Sequence, residues 1–131
     1  MVVEASNKSL TRRSRRGKAD GGVDARLILS NPSLLRALLT GIYALVQSNR
    51  SPWLYVAIRD IRKVAQLRRL TPYQYRILHA ALLRLSRVYG FGTYATSDRT
   101  YFILDATKLK AMTKDELAKE IERIINEGDG A

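Results

Sequence analysis

Apolar residues recur at three- and four-residue steps in four stretches of the chain, and three short runs between them are rich in aromatic and β-branched residues. The first period is that of a half-buried helix, and the second composition is that of strands. The first helix is expected over residues 32–48. Asn31 is its N-cap and Pro32 its first helical residue, where a missing N–H costs nothing. Leu34, Leu35, Leu38, Leu39, Ile42, Leu45 and Val46 form a wide apolar stripe. Gly41 within it costs about 1 kcal/mol relative to alanine, and its bare Cα permits close approach of another backbone. The polar side of this helix carries only Arg36, so it reads as a core helix and not as a membrane-surface helix.

A turn over residues 49–52 leads to a short strand over 53–58 (Trp-Leu-Tyr-Val-Ala-Ile). A second helix is expected over residues 59–69, with Ile61, Val64, Ala65 and Leu67 inward and Arg59, Arg62, Lys63 and Arg68 outward. A tight break at Leu70, Thr71 and Pro72 separates it from a third helix, 71–89, which Thr71 caps and Pro72 opens. Tyr75, Leu78, Ala81, Leu82, Leu85 and Val88 fall on the core side of that helix. Tyr73, Arg76, Ala80, Arg84 and Arg87 fall on the other. Gly90 is the expected left-handed cap. Residues 93–96 and 101–104 then read as a hairpin turning over 97–100. Residues 106–112 are expected to form one helical turn under the hairpin.

Thr113 and Glu116 have the spacing of a capping box that starts a last helix, ending near Asn126 with Gly128 beyond it. Leu117, Ile121, Ile124 and Ile125 make a narrow apolar face on this helix. It suits either packing on the domain or self-association with a second copy.

Charge changes the picture. The 131 residues carry a formal net charge of +11, with a pI near 10.3. Residues 1–26 contribute +4, residues 27–112 contribute +10 and residues 113–131 contribute −3. Excess positive charge attracts polyanions and does not specify a fold. Residues 1–26 lack the apolar surface to offset chain entropy and read as a disordered basic arm. Arg12, Arg13, Arg15, Arg16 and Lys18 cluster there and are expected to lie along phosphates or enter a minor groove. The folded domain is expected over 27–112, with a C-terminal helix and short tail over 113–131.

Several chemistries are disfavoured. The chain has no cysteine and a single histidine, His79, which removes thiolate chemistry and multi-histidine metal sites. His79, flanked by apolar and small residues, reads as a packed or partly exposed structural side chain. Asp60, Asp98 and Asp105 are scattered, and Gly90 and Gly92 lack the helix and lysine of a phosphate-binding loop. Neither an enzyme nor a cofactor is expected. No apolar run is long enough to span a bilayer, and the first residues do not resemble a signal peptide. The expectation is an intracellular, cytoplasmic protein.

Taken in order, the elements over residues 53–104 resemble a winged helix-turn-helix DNA-binding domain: 53–58 as its first strand, 60–67 as its second helix, 71–85 as its recognition helix and 93–104 as its wing. With the first helix added, the overall fold is mainly α with a β-hairpin wing (α+β). The style is similar to the small basic winged-helix proteins of thermophilic archaea and their viruses. Two features depart from the family pattern: Arg68, Arg69 and Leu70 stand where the turn usually has glycine, and the recognition helix is long, with Leu83 partly outward. An ordinary helical hairpin remains the alternative for this pair.

The resemblance implies that Tyr73, Gln74 and Arg76 reach base edges or phosphates, Gln74 suiting adenine and Arg76 guanine. Arg84 and Arg87 would meet phosphates further along, Arg99 at the wing tip would contact the adjacent minor groove or backbone, and Arg68 and Arg69 in the turn complete the nucleic-acid-binding set. The expected partner is double-stranded DNA, bound by a transcription regulator or an architectural nucleoid or viral protein. The alternatives are a structural RNA-binding protein of a ribonucleoprotein particle, or a protein-interaction module that forms a homodimer through the last helix.

Overall fold

The computed structural model describes residues 23–127. In chain order these form a 3-10 helix (Ala25–Ser30), α1 (Pro32–Ser48), β1 (Trp53–Val56), α2 (Ile58–Val64), α3 (Pro72–Val88), β2 (Gly90–Ala95), β3 (Thr100–Asp105), α4 (Ala106–Lys110) and α5 (Lys114–Glu127). The strands make one antiparallel sheet in the order β1-β3-β2. The architecture is α+β, with helices over one sheet face.

The alternating strand pattern decides which face is covered. Leu54 pairs with Leu104 and Val56 with Phe102 across β1 and β3, and all four side chains are buried. Phe102 lies at the centre, and burial of such a side chain contributes about 1.5–3 kcal/mol. Leu38 and Ile42 of α1, Leu78, Leu82 and Leu85 of α3, and Ile121, Ile124 and Ile125 of α5 complete the same core.

The first described residues differ from expectation. The basic arm was placed as far as residue 26, yet the 3-10 helix begins at Ala25 and buries Ile28 completely. Asp24 caps it, accepting a hydrogen bond from the backbone N–H of Arg26 at 2.9 Å. Helix α1 spans the expected residues, although the Asn31 side chain makes no capping bond. Gly41 does admit a neighbour, because a Cβ there would lie 2.9 Å from Ile61 Cδ1 of α2.

Helix α2 is shorter than the apolar spacing suggests. It stops at Val64, and residues 65–71 form a connection where the sequence indicated further helix and a tight break. The stop is a Schellman motif: Leu67 N–H donates to the Arg62 carbonyl (2.9 Å) and Gln66 N–H to the Lys63 carbonyl (3.3 Å). Gln66 takes the left-handed position with φ 57°, a conformation that costs a side-chain-bearing residue about 1–2 kcal/mol. Val64, expected inward, is exposed.

The start of α3 follows the sequence closely. Gln74 N–H donates to Thr71 Oγ1 (3.1 Å), and Thr71 N–H donates to Gln74 Oε1 (3.0 Å), a reciprocal capping box. The buried face of α3 is rotated from the predicted stripe. Ile77, Ala80 and Ser86 are buried, whereas Tyr75 and Val88 are exposed. The 3-10 helix, the sheet and α5 all pack on α3, so its buried arc is wider than one stripe, and its two ends project past it.

Gly90 is not a left-handed cap. It belongs to β2, where a Cβ would stand 1.8 Å from the Ile103 carbonyl oxygen, so glycine is needed there for close approach. The positive φ falls at Gly92 (84°), beside an irregularity in the β2–β3 register. Helix α4 packs on α1 and β1 rather than under the hairpin.

At the start of α5, Thr113 and Glu116 form the expected capping box. Leu117, Ile121, Ile124 and Ile125 are buried against the domain. That corrects the self-association reading: the α5 apolar face is already part of the core.

Candidate functional site

Nine basic and two acidic residues lie between positions 59 and 99, a local excess of +7. The fold gathers part of this excess around one cleft of about 360 Å³. Arg59 and Arg62 come from α2, Arg69 from the connection, Tyr75 from α3, and Asp98 and Arg99 from the hairpin tip. Asp60 is occupied elsewhere: its Oδ2 accepts from the Ala57 N–H at 2.9 Å, closing the start of α2. Among the described residues Arg59, Arg62, Arg69 and Arg99 make no ion pair with a carboxylate. Arg62 Nε is buried without a hydrogen-bond partner among the described residues. A buried N–H of a charged group costs free energy until an acceptor meets it. This cleft therefore has the chemistry of an anion site.

The hairpin tip is built to hold Arg99. Thr96 Oγ1 accepts from the N–H groups of Asp98 (3.3 Å) and Arg99 (3.2 Å), and Thr96 N–H donates to the Arg99 carbonyl at 2.8 Å. Arg99 Nη1 lies 3.5 Å from the Tyr101 hydroxyl.

The residues singled out from sequence fall into several groups. Arg69 and Arg99 are brought together at the cleft. Arg68, Tyr73 and Arg76 are exposed on the connection and the first turns of α3. Gln74 is next to them, but its Oε1 is engaged in the capping box. Arg87 is exposed on the same side of α3 as Arg76, three turns further and about 16 Å along the axis. Arg84 is turned away: its Nε donates to the Ile124 carbonyl at 3.3 Å, in the last turn of α5, where a cation complements the helix dipole. Arg12, Arg13, Arg15, Arg16 and Lys18 lie outside the described residues.

Three members of the cleft were missed. Arg59 and Arg62 were legible as outward cations of α2, but their position opposite the hairpin tip is a tertiary fact. Tyr75 was assigned to the core by its spacing, and lies 48% exposed in the cleft wall.

His79 is half-buried and meets Phe102 edge-on, with ring centroids 5.1 Å apart. No group of histidine, aspartate and glutamate among the described residues could hold a metal ion. No helix among them is long and apolar enough to cross a membrane. Comparisons with protein-family models, curated proteins and solved structures gave no match.

Proposed function

We propose that this is a double-stranded DNA-binding protein of winged-helix type, acting as a transcription regulator or an architectural nucleoid or viral protein. The observation that carries the reading is the cleft: arginines from α2, the connection and the hairpin tip converge without carboxylate ion pairs, beside the exposed start of α3. Sheet order β1-β3-β2, with a helix pair between β1 and the β2–β3 hairpin, supports the same reading. In such domains the second helix of the pair enters the major groove and the hairpin flanks it. Tyr73 and Arg76 would then face the groove, Arg59, Arg62 and Arg69 the phosphates, and Arg99 the adjoining backbone. Arg68 and Arg87 extend the cationic surface, and the five basic residues between positions 12 and 18 raise the chain's positive charge.

Affinity on this reading comes mainly from phosphate neutralisation. With about five phosphates contacted, the logarithm of affinity should fall against the logarithm of salt with a slope of roughly −4 to −5. A salt titration on duplex DNA checks this. A flat dependence removes the reading, and a clear preference for duplex RNA at matched salt replaces it with the RNA-binding alternative.

A further inference from the structure

We propose that the outer face of the three-stranded sheet is a stacking platform for single-stranded nucleic acid, separate from the duplex-binding cleft. The strand register places Trp53 and Tyr55 of β1, Tyr94 of β2 and Tyr101 of β3 on the face opposite the core, and Phe91, at the β2 irregularity, joins them through its contact with Trp53. Tyr55 is 53% exposed, Tyr94 55% and Phe91 68%. Single exposed apolar side chains are ordinary, whereas a contiguous aromatic patch marks a contact surface.

The rings fix one another without closing the patch. Tyr55 meets Tyr94 and Tyr101 edge-on, each with centroids 6.4 Å apart, and Trp53 meets Phe91 at 4.5 Å with a 56° tilt. Such contacts hold the rings in position, and exposure above one half leaves ring surface in solvent. A preordered ring loses little freedom when a base stacks on it.

Charge selects the occupant. On the sheet positions of this face the carboxylate is Asp105, whose Oδ1 accepts from the Lys108 N–H and caps α4. A second copy of the chain would bring its own +11 to the contact, whereas a polynucleotide brings the opposite charge. Arg99 joins the two regions, lining the cleft while lying within 3.5 Å of the Tyr101 hydroxyl. Exposed aromatic rings with an arginine at their margin are among the elements with which proteins hold unpaired strands, and stacking tolerates any base.

The test uses the full chain with fluorescein-labelled oligothymidylate and oligouridylate, and with a labelled duplex. Wild-type protein should bind at least one single strand, and the tighter of the two names the natural sugar. Tyr94→Ala and Phe91→Ala should each lose about tenfold in single-strand affinity, with duplex affinity and melting temperature unchanged. Tyr94→Phe, which keeps the ring, should retain most of the binding. If both alanine variants bind the single strands like wild type, the platform is refuted. It is equally refuted if sedimentation shows a dimer that either alanine variant dissolves, since the face then belongs to a second copy. Arg59→Ala combined with Arg69→Ala addresses the duplex reading alone, so either reading can fail while the other stands.

Discussion

Arginine occupies two contrasting settings in this molecule. On α5, Arg123 is held between two carboxylates, its Nη2 2.7 Å from Glu120 Oε2 and its Nη1 2.6 Å from Glu127 Oε2. Glu120 in turn accepts from the Tyr89 hydroxyl at 2.5 Å, which ties the end of α3 to α5. Around the cleft, Arg59, Arg62, Arg69 and Arg99 have no such carboxylate partners among the described residues. The first group uses charge to connect elements of the fold. The second gathers like charges, which repel one another and weaken the compact state. Cations that the fold does not use are available to an external anion, and that is the physical content of the proposed interface.

The contrast breaks most visibly if α5 is not part of the core. Ile121→Ala should destabilise the protein by about 2–5 kcal/mol, the usual cost of emptying a fully buried isoleucine site. Urea denaturation measures it. A stable variant with a changed oligomeric state would instead restore the discarded self-association surface.

Single arginine removals sharpen the comparison. Arg59→Ala or Arg69→Ala should weaken duplex binding and reduce the salt slope by about 1 each, with unfolding midpoints unchanged or slightly raised. Arg123→Ala should do the reverse, lowering stability slightly, as expected of a solvent-screened pair, and leaving affinity alone. Parallel anisotropy and denaturation series on these variants would expose any exchange of roles.

A pH series isolates the α5 network. The hydrogen bonds from Arg123, and then from Tyr89, hold the Glu120 carboxyl down to about 2, from an ordinary value of 4.5. The same contact raises the Tyr89 phenol, because ionising it would give up the hydrogen bond donated to Glu120. A carboxyl with its folded pKa below its unfolded one stabilises the fold fully above the unfolded value. That contribution disappears as pH falls from about 4.5 to about 2. After allowance for solvent screening it should be about 1 kcal/mol. Glu120→Gln should cost that amount at neutral pH and little near pH 2, in thermal melts across the range.

The smallest effect is expected at the end of α2. Gln66→Gly should stabilise by about 0.5–1 kcal/mol, since glycine takes a positive φ without the side-chain penalty. Loss of stability would mean that the Gln66 side chain contributes more than its backbone strain costs.

Two helix starts were the most legible features. Thr113 with Glu116 forms the bonds its spacing implies, and Thr71 with Pro72 marks the first turn of α3, although Gln74, expected at the bases, closes the cap there and Asn31 makes no capping bond at α1. Helix ends were harder. Leu67 continued the apolar period of α2, but the chain had already turned at Gln66, a residue with no compositional mark of a left-handed position. Gly90 carried the mark of a cap and served a different need, contact with the Ile103 carbonyl. Of the cleft, the cationic side chains were readable and their grouping was not.

Hydrophobic period, capping residues and charge totals are local or additive quantities. They determined by themselves that this chain has an amphipathic α1, a capped α3, a β2–β3 hairpin, a capped α5 and a basic centre. Which cations stay without carboxylate partners depends on distances between residues remote in sequence, and only the tertiary structure decided that Arg84 would meet the end of α5 while Arg59 and Arg62 met the hairpin tip. The same holds for the aromatic face. Alternation places Trp53 and Tyr55 on one side of a strand, but packing chose the other side for the core and left this one in solvent.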